Sequence, residues 1–108
     1  MAPEFKTSDT DLMAKSSQMI RYDEYLRMRA KYYVKNPKFV VEPDTHRRIM
    51  DGSIRTAKTV IDRGGTDDEV KRALLYMHVC VDSRLNRLNW HNARKDLHID
   101  ELVQKYAD

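Results

Sequence analysis

The sequence predicts an all-α fold, a compact bundle of three long helices followed by a short C-terminal fourth. Three observations carry this prediction. Apolar residues recur at three- and four-residue steps through most of the chain. Only 3 Gly and 3 Pro occur in 108 residues, too few for a sandwich or barrel that needs a turn about every 8–12 residues. Two segments, Thr7-Ser8-Asp9-Thr10-Asp11 and Thr66-Asp67-Asp68-Glu69, carry the hydroxyl and carboxylate groups that start helices.

The first long helix is expected to begin near Thr10. Leu12, Ser16, Met19, Asp23, Leu26, Ala30 and Tyr33 share one helical face, widened by Met13, Ile20 and Val34. Asn36-Pro37 ends it, because the residue before proline is pushed out of the α region. Residues 36–44 read as a loop whose apolar middle, Phe39-Val40-Val41, is buried across the bundle. The second helix starts at Asp44 or Thr45, with Ile49, Met50, Ile54, Ala57, Val60 and Ile61 as its apolar set. Gly52 weakens it by about 1 kcal/mol relative to alanine, and Gly64-Gly65 suits a left-handed C-terminal cap.

The third helix opens on a Thr66-x-x-Glu69 capping box. Its main stripe is Val70, Leu74, Met77, Val81, Leu85 and Leu88, and Leu75, Val79 and Cys80 add apolar groups off that stripe. A helix apolar on nearly every side belongs at the centre of a bundle. The pattern weakens through Asn89-Trp90-His91-Asn92, where the helix either bends or stops. Asp96 is placed to cap a last helix presenting Ile99, Leu102, Val103 and Tyr106.

Composition narrows the class further. With 41% hydrophobic and 34% charged residues, the chain is neither a disordered tail nor a membrane protein. Its length allows a hydrophobic core without disulfides or a structural metal. The longest apolar-looking run, Leu74 to Val81, is far short of the roughly 20 residues needed to span a bilayer. The N-terminus shows neither the basic nor the apolar region of a signal peptide. A single cysteine fits a reducing compartment, so the expected location is cytoplasmic. Residues 7–108 are expected to form one helical domain, and residues 1–6, where Glu4-Phe5 resembles a cloning scar, to lie outside it as a disordered or cloning-derived end.

No pattern of catalytic or metal-ligating residues stands out. Zinc ligands on one helix need three- or four-residue spacing to share a face. His78 and Cys80 are two apart, and His91 and His98 lie about 10 Å apart by helical rise. His46 adds no partner of its own. His78 and Asp82 are an i,i+4 pair, read as a local contact on a helix rather than as a general base. Cys80 sits among apolar residues and reads as a core side chain. Gly64-Gly65-Thr66 is no phosphate loop, because Asp67, Asp68 and Glu69 would repel phosphate. No metal, cofactor or enzymatic activity is expected.

The surface with most to offer is residues 25–39. Tyr25, Arg27, Arg29, Lys31, Tyr32, Tyr33, Lys35, Lys38 and Phe39 interleave five cations with aromatic rings and include no acid. Such a stretch can hold phosphates while rings stack on bases, and it can equally be a solvated helix end complementing the helix dipole. Arg84, Arg87, Arg94 and Lys95 form a second basic group, and packing the two side by side would give the bundle one electropositive pole. The bases of the second helix, Arg47, Arg48, Arg55, Lys58 and Arg63, alternate with Asp51 and Asp62 and read as a solvated face. Net charge is +3 and the isoelectric point about 9.0, which permits acidic partners or nucleic acid without demanding either. The first expectation is therefore a small regulatory or accessory protein that binds another protein through a helical surface. The rival is a nucleic-acid binder using the basic and aromatic pole.

Overall fold

The computed structural model describes residues 4–33, 35–82 and 86–107 of the chain. Six α-helices account for most of them: α1 (Asp9–Met19), α2 (Tyr22–Tyr32), α3 (Pro43–Asp62), α4 (Asp67–Asp82), α5 (Arg87–Asp96) and α6 (Ile99–Tyr106). A short 3-10 turn, Pro37–Phe39, lies between α2 and α3. Among the described residues no strand forms, and only an isolated bridge pairs Val40 with Asn86. The all-α class is as expected. The bundle has α4 at its centre, touching α1, α2, α3, α5 and α6.

The segment predicted as one long first helix is two helices. Ser8 caps α1 with a reciprocal pair, Asp11 N–H to Ser8 Oγ at 3.0 Å and Ser8 N–H to Asp11 Oδ2 at 3.0 Å. Ile20 and Arg21 then adopt extended backbone, and Asp23 and Glu24 restart the chain as the acidic first turn of α2. Two extended residues shift the phase of everything after them. The buried positions of α2 are Met28 and Tyr32, whereas the expected Leu26, Ala30 and Tyr33 are exposed. Val34 lies outside the described residues. The apolar connection also differs from expectation, since Val41 is buried while Phe39 and Val40 face outward, Val40 at 55% exposure.

The turn between α3 and α4 shows why both glycines are there. Gly64 has φ +72°, the left-handed backbone that side chains rarely adopt. Gly64 N–H reaches Ile61 O at 3.1 Å and Gly65 N–H reaches Val60 O at 2.8 Å, the paired bonds of a Schellman cap. Gly65 is needed for space, because a Cβ there would stand 2.5 Å from Val60 Cγ1 and 3.3 Å from the Tyr106 hydroxyl.

Glu69 lies immediately beyond. Its carboxylate closes the predicted capping box, accepting from Thr66 N–H at 3.0 Å while Glu69 N–H donates to Thr66 Oγ1 at 3.2 Å. The same carboxylate accepts from the Tyr106 hydroxyl at 2.6 Å and from Lys105 Nζ at 2.8 Å. Arg63 Nη1 donates to Tyr106 O at 2.7 Å. The end of α3, the start of α4 and the last turn of α6 therefore share one polar cluster.

From that cluster α4 runs inward with Val70, Ala73, Leu74, Tyr76, Met77, Val79 and Cys80 buried, on more than one face as expected. The expected stripe gives out at Val81, which is 41% exposed, and Leu88 is exposed as well. Leu85 lies outside the described residues. The helix does not run on through residue 89: α4 is described as far as Asp82, Asn86 has extended backbone, and α5 begins afresh at Arg87. Its cap is Asn86, a buried residue whose Oδ1 accepts from Leu88 N–H at 3.0 Å and whose Nδ2 donates to Asn36 O at 2.9 Å. Asp96 does not cap the final helix. It ends α5, and His98, with φ 52°, stands at the head of α6 instead.

Part of the N-terminal segment set outside the fold is tied to it. Lys6 N–H and Thr7 N–H donate to Asp62 at 2.9 and 3.0 Å, and the Lys58 ammonium stands 5.7 Å from the Phe5 ring centre.

The Glu69 cluster makes two predictions. Thr66→Ala should cost about 1 kcal/mol, the usual value of an N-cap. The bonds from Lys105, Tyr106 and Thr66 hold the Glu69 carboxyl down at about 2, against an ordinary 4.5. A carboxyl depressed on folding stabilises the fold above its ordinary value, and that contribution is lost as pH falls through the folded one. Urea denaturation should therefore show Glu69→Gln well below the parent at about pH 7, with the gap narrowing near pH 2. A gap independent of pH would mean that the carboxylate charge is not what holds the cluster.

Candidate functional site

Three contacts bring the two predicted basic groups together. The Tyr32 hydroxyl donates to Asp96 Oδ2 at 2.6 Å, Lys31 Nζ pairs with the same oxygen at 3.1 Å, and Asn86 bonds to Asn36 farther along. The end of α2, residues 35–40 and α5 thus form one edge of the bundle.

Much of the charge expected there is consumed internally. Arg27 pairs with Asp23 at 3.3 Å. Asp96 takes both Lys31 and Tyr32, and those bonds hold its carboxyl below the usual range while the Lys31 ammonium is raised. Burial, followed by Asp96, raises the Tyr32 phenol, which is an inward link rather than a stacking platform. Arg94 donates to Asp100 at 2.6 Å and to the Tyr76 hydroxyl at 3.2 Å. Tyr25 is half-buried, packed edge-on against His78 with ring centres 5.8 Å apart. Arg84 lies outside the described residues, as does the Asp82 side chain expected to pair with His78.

What remains on the edge is mixed in character. The Arg29 guanidinium stands 5.0 Å from the Tyr33 ring centre and 5.9 Å from that of Tyr25, within cation–π range. Lys35, Lys38, Arg87 and Lys95 are exposed, and among the described residues none has a carboxylate within ion-pair distance. Between these cations Tyr33, Phe39, Val40 and Leu88 present exposed apolar surface. The Val40–Asn86 bridge places Val40 next to the start of α5, where Arg87 and Leu88 follow. Reading residues 25–39 for cations and rings found the charges here, but the exposed aliphatic component went unseen, because Val40 and Leu88 had been assigned to the interior.

A second concavity was missed altogether. Residues of α3, α4, α5 and α6 line an open cleft of about 410 Å³, among them Arg48, Gly52, Arg55, Tyr76, Trp90 and Arg94. The Trp90 indole N–H and Arg94 Nη1 both donate to the Tyr76 hydroxyl, fixing that wall. Arg48 and Arg55 had been read as part of a solvated face. A signal was present in Arg48, Gly52 and Arg55, which share one helical face, but the opposing wall could not be read from local spacing.

The remaining reactive side chains have structural settings. His46 Nε2 donates to the Cys80 carbonyl at 3.0 Å, joining the first turns of α3 to the last of α4. Among the described residues, no group of three His, Cys, Asp or Glu side chains lies close enough together to hold a metal. No described helix is long and apolar enough to cross a membrane. Comparison with protein-family models, curated proteins and solved structures gives no match.

Cys80 is fully buried, and burial pushes its thiol up to about 12. Thiolate is the reactive form, so the folded protein should resist Ellman's reagent and react rapidly once unfolded in denaturant. Because the chain has 1 Cys, the assay reads this site alone. Fast labelling of the native protein would contradict the burial described.

Proposed function

We propose that this chain is a small, non-enzymatic regulatory or accessory protein that binds another protein, and that its docking surface is the edge formed by the end of α2, residues 35–40 and the start of α5. The partner segment that suits this edge is acidic and partly apolar. The observation that carries the reading is the alternation of exposed Tyr33, Phe39, Val40 and Leu88 with Lys35, Lys38 and Arg87. Apolar groups supply area removed from water, and unpaired cations steer and orient an acidic partner. A cytoplasmic setting accords with one buried, free cysteine.

The nucleic-acid alternative calls on Arg27, Lys31, Tyr32 and Arg94, which already have partners within the chain, Arg27 and Lys31 in exposed ion pairs. It retains Arg29, Lys35, Lys38, Arg87, Lys95 and the Tyr33 and Phe39 rings. Aliphatic Val40 and Leu88 add nothing to phosphate binding and much to a protein contact, which favours the first reading.

Fluorescence anisotropy with a labelled peptide alternating Glu and Leu, a poly-glutamate peptide, and single- and double-stranded oligonucleotides separates these readings. The Glu/Leu peptide should bind best and lose affinity only modestly with added salt. Lys35→Glu with Lys38→Glu should weaken it about tenfold or more, roughly 1.4 kcal/mol, and Phe39→Ser should weaken it even at high salt. Tighter binding of oligonucleotides, with a steep salt dependence, would overturn the proposal in favour of nucleic acid.

A further inference from the structure

The cleft between α3 and α5 carries an inference independent of the docking edge. Along α3, Arg48, Gly52 and Arg55 fall on one face, with the two guanidinium-bearing residues two turns apart, about 10 Å by helical rise. Neither arginine has a carboxylate within ion-pair distance among the described residues. Asp51, three residues after Arg48 and four before Arg55, is exposed and not part of the cleft wall. Arg94, across the cleft, is already satisfied by Asp100 and Tyr76. The cleft therefore presents two uncommitted cations.

Gly52 sharpens the point. It sits in the interior of a 20-residue helix, where glycine is the weakest residue after proline. Its backbone is ordinary, and a Cβ built there meets nothing within 4 Å, so neither conformation nor internal packing calls for glycine. Its effect is to keep the cleft open midway between the two arginines, the arrangement by which glycine lets a ligand approach a backbone closely. The half-buried Trp90 ring, held by its bond to the buried Tyr76 hydroxyl, lines the same cleft. The volume of about 410 Å³ lies within the range of small-molecule sites.

We propose that this cleft binds a small anion that carries an aromatic ring, an aromatic carboxylate or a nucleoside monophosphate, with the ring seated between Gly52 and Trp90 and the anionic group held by Arg48 or Arg55. Guanidinium groups match both oxyanions. The chemistry is shared by aromatic carboxylates and nucleoside monophosphates, and the test distinguishes them.

Trp90 is the only tryptophan, so its indole N–H gives a single resonance in a proton–nitrogen correlation spectrum. That resonance is followed during titration with AMP, benzoate, adenosine and inorganic phosphate. AMP or benzoate should shift it saturably, and whichever binds tighter identifies the anion source. Adenosine, which lacks the anion, and phosphate, which lacks the ring, should bind at least about tenfold more weakly. Arg48→Ala with Arg55→Ala should cost about tenfold or more in affinity. Gly52→Leu should abolish the shift by filling the cleft, and Gly52→Ala should raise the melting temperature, showing that the fold itself does not need the glycine. The proposal fails if neither AMP nor benzoate moves the resonance, if the arginine variant binds like the parent, or if Gly52→Ala lowers the melting temperature.

Discussion

A helix that is apolar on several faces has to be covered on several faces, and most of this structure follows from that constraint on α4. Val70, Leu74 and Met77 together with Ala73, Tyr76 and Cys80 bury it on more than one face. Five shorter or more amphipathic helices are laid around it, and the breaks between them fall where the chain must turn to reach the next face. The polar cluster on Glu69 fixes where α4 begins, since it joins the head of α4 to the end of α3 and the last turn of α6. Without that anchor the covering helices would share the core but not a common origin.

Charge follows the same logic. The chain has 20 Lys and Arg against 17 Asp and Glu, and many of the acids join elements together. Asp9 holds Lys58, Glu24 holds Lys71, Asp62 holds the N-terminal segment, Asp96 joins α2 to α5, and Asp100 joins α6 to α5. Hydrogen bonds hold Glu24 and Asp96, and likewise Glu69, below the ordinary carboxyl range. Acids used as ties leave cations over, and among the leftovers are those along the α2–α5 edge and at the rim of the α3–α5 cleft. A modest net charge thus becomes two locally basic surfaces, one flanked by exposed apolar groups and the other enclosing an aromatic wall.

Much of the fold was legible in the sequence. The Thr66-x-x-Glu69 box, the Gly64-Gly65 stop and the central role of the third predicted helix rest on local rules that tertiary packing reinforced. The break at Ile20-Arg21 was not legible, because no proline or glycine marks it and the apolar pattern runs through it. Its signal was the acidic pair Asp23-Glu24, which reads as surface charge until the chain is known to restart there. The site was only half legible. Cations and rings can be counted along a chain, but whether Lys31 faces solvent or Asp96, some 65 positions later, depends on how α2 and α5 pack. The cleft escaped for the same reason, since Trp90 and Arg48 come from helices that never touch in sequence.

Native-state hydrogen exchange tests the central claim most directly. If α4 is the element on which the others depend, its amides from Val70 to Cys80 should exchange only through global unfolding, with protection equal to the full unfolding free energy from denaturant titration. Amides in α1 and α2, which bury few side chains of their own, should exchange through smaller openings. Exchange in α4 as fast as in α1 and α2 would contradict the account, because the helices would then be an assembly of equals.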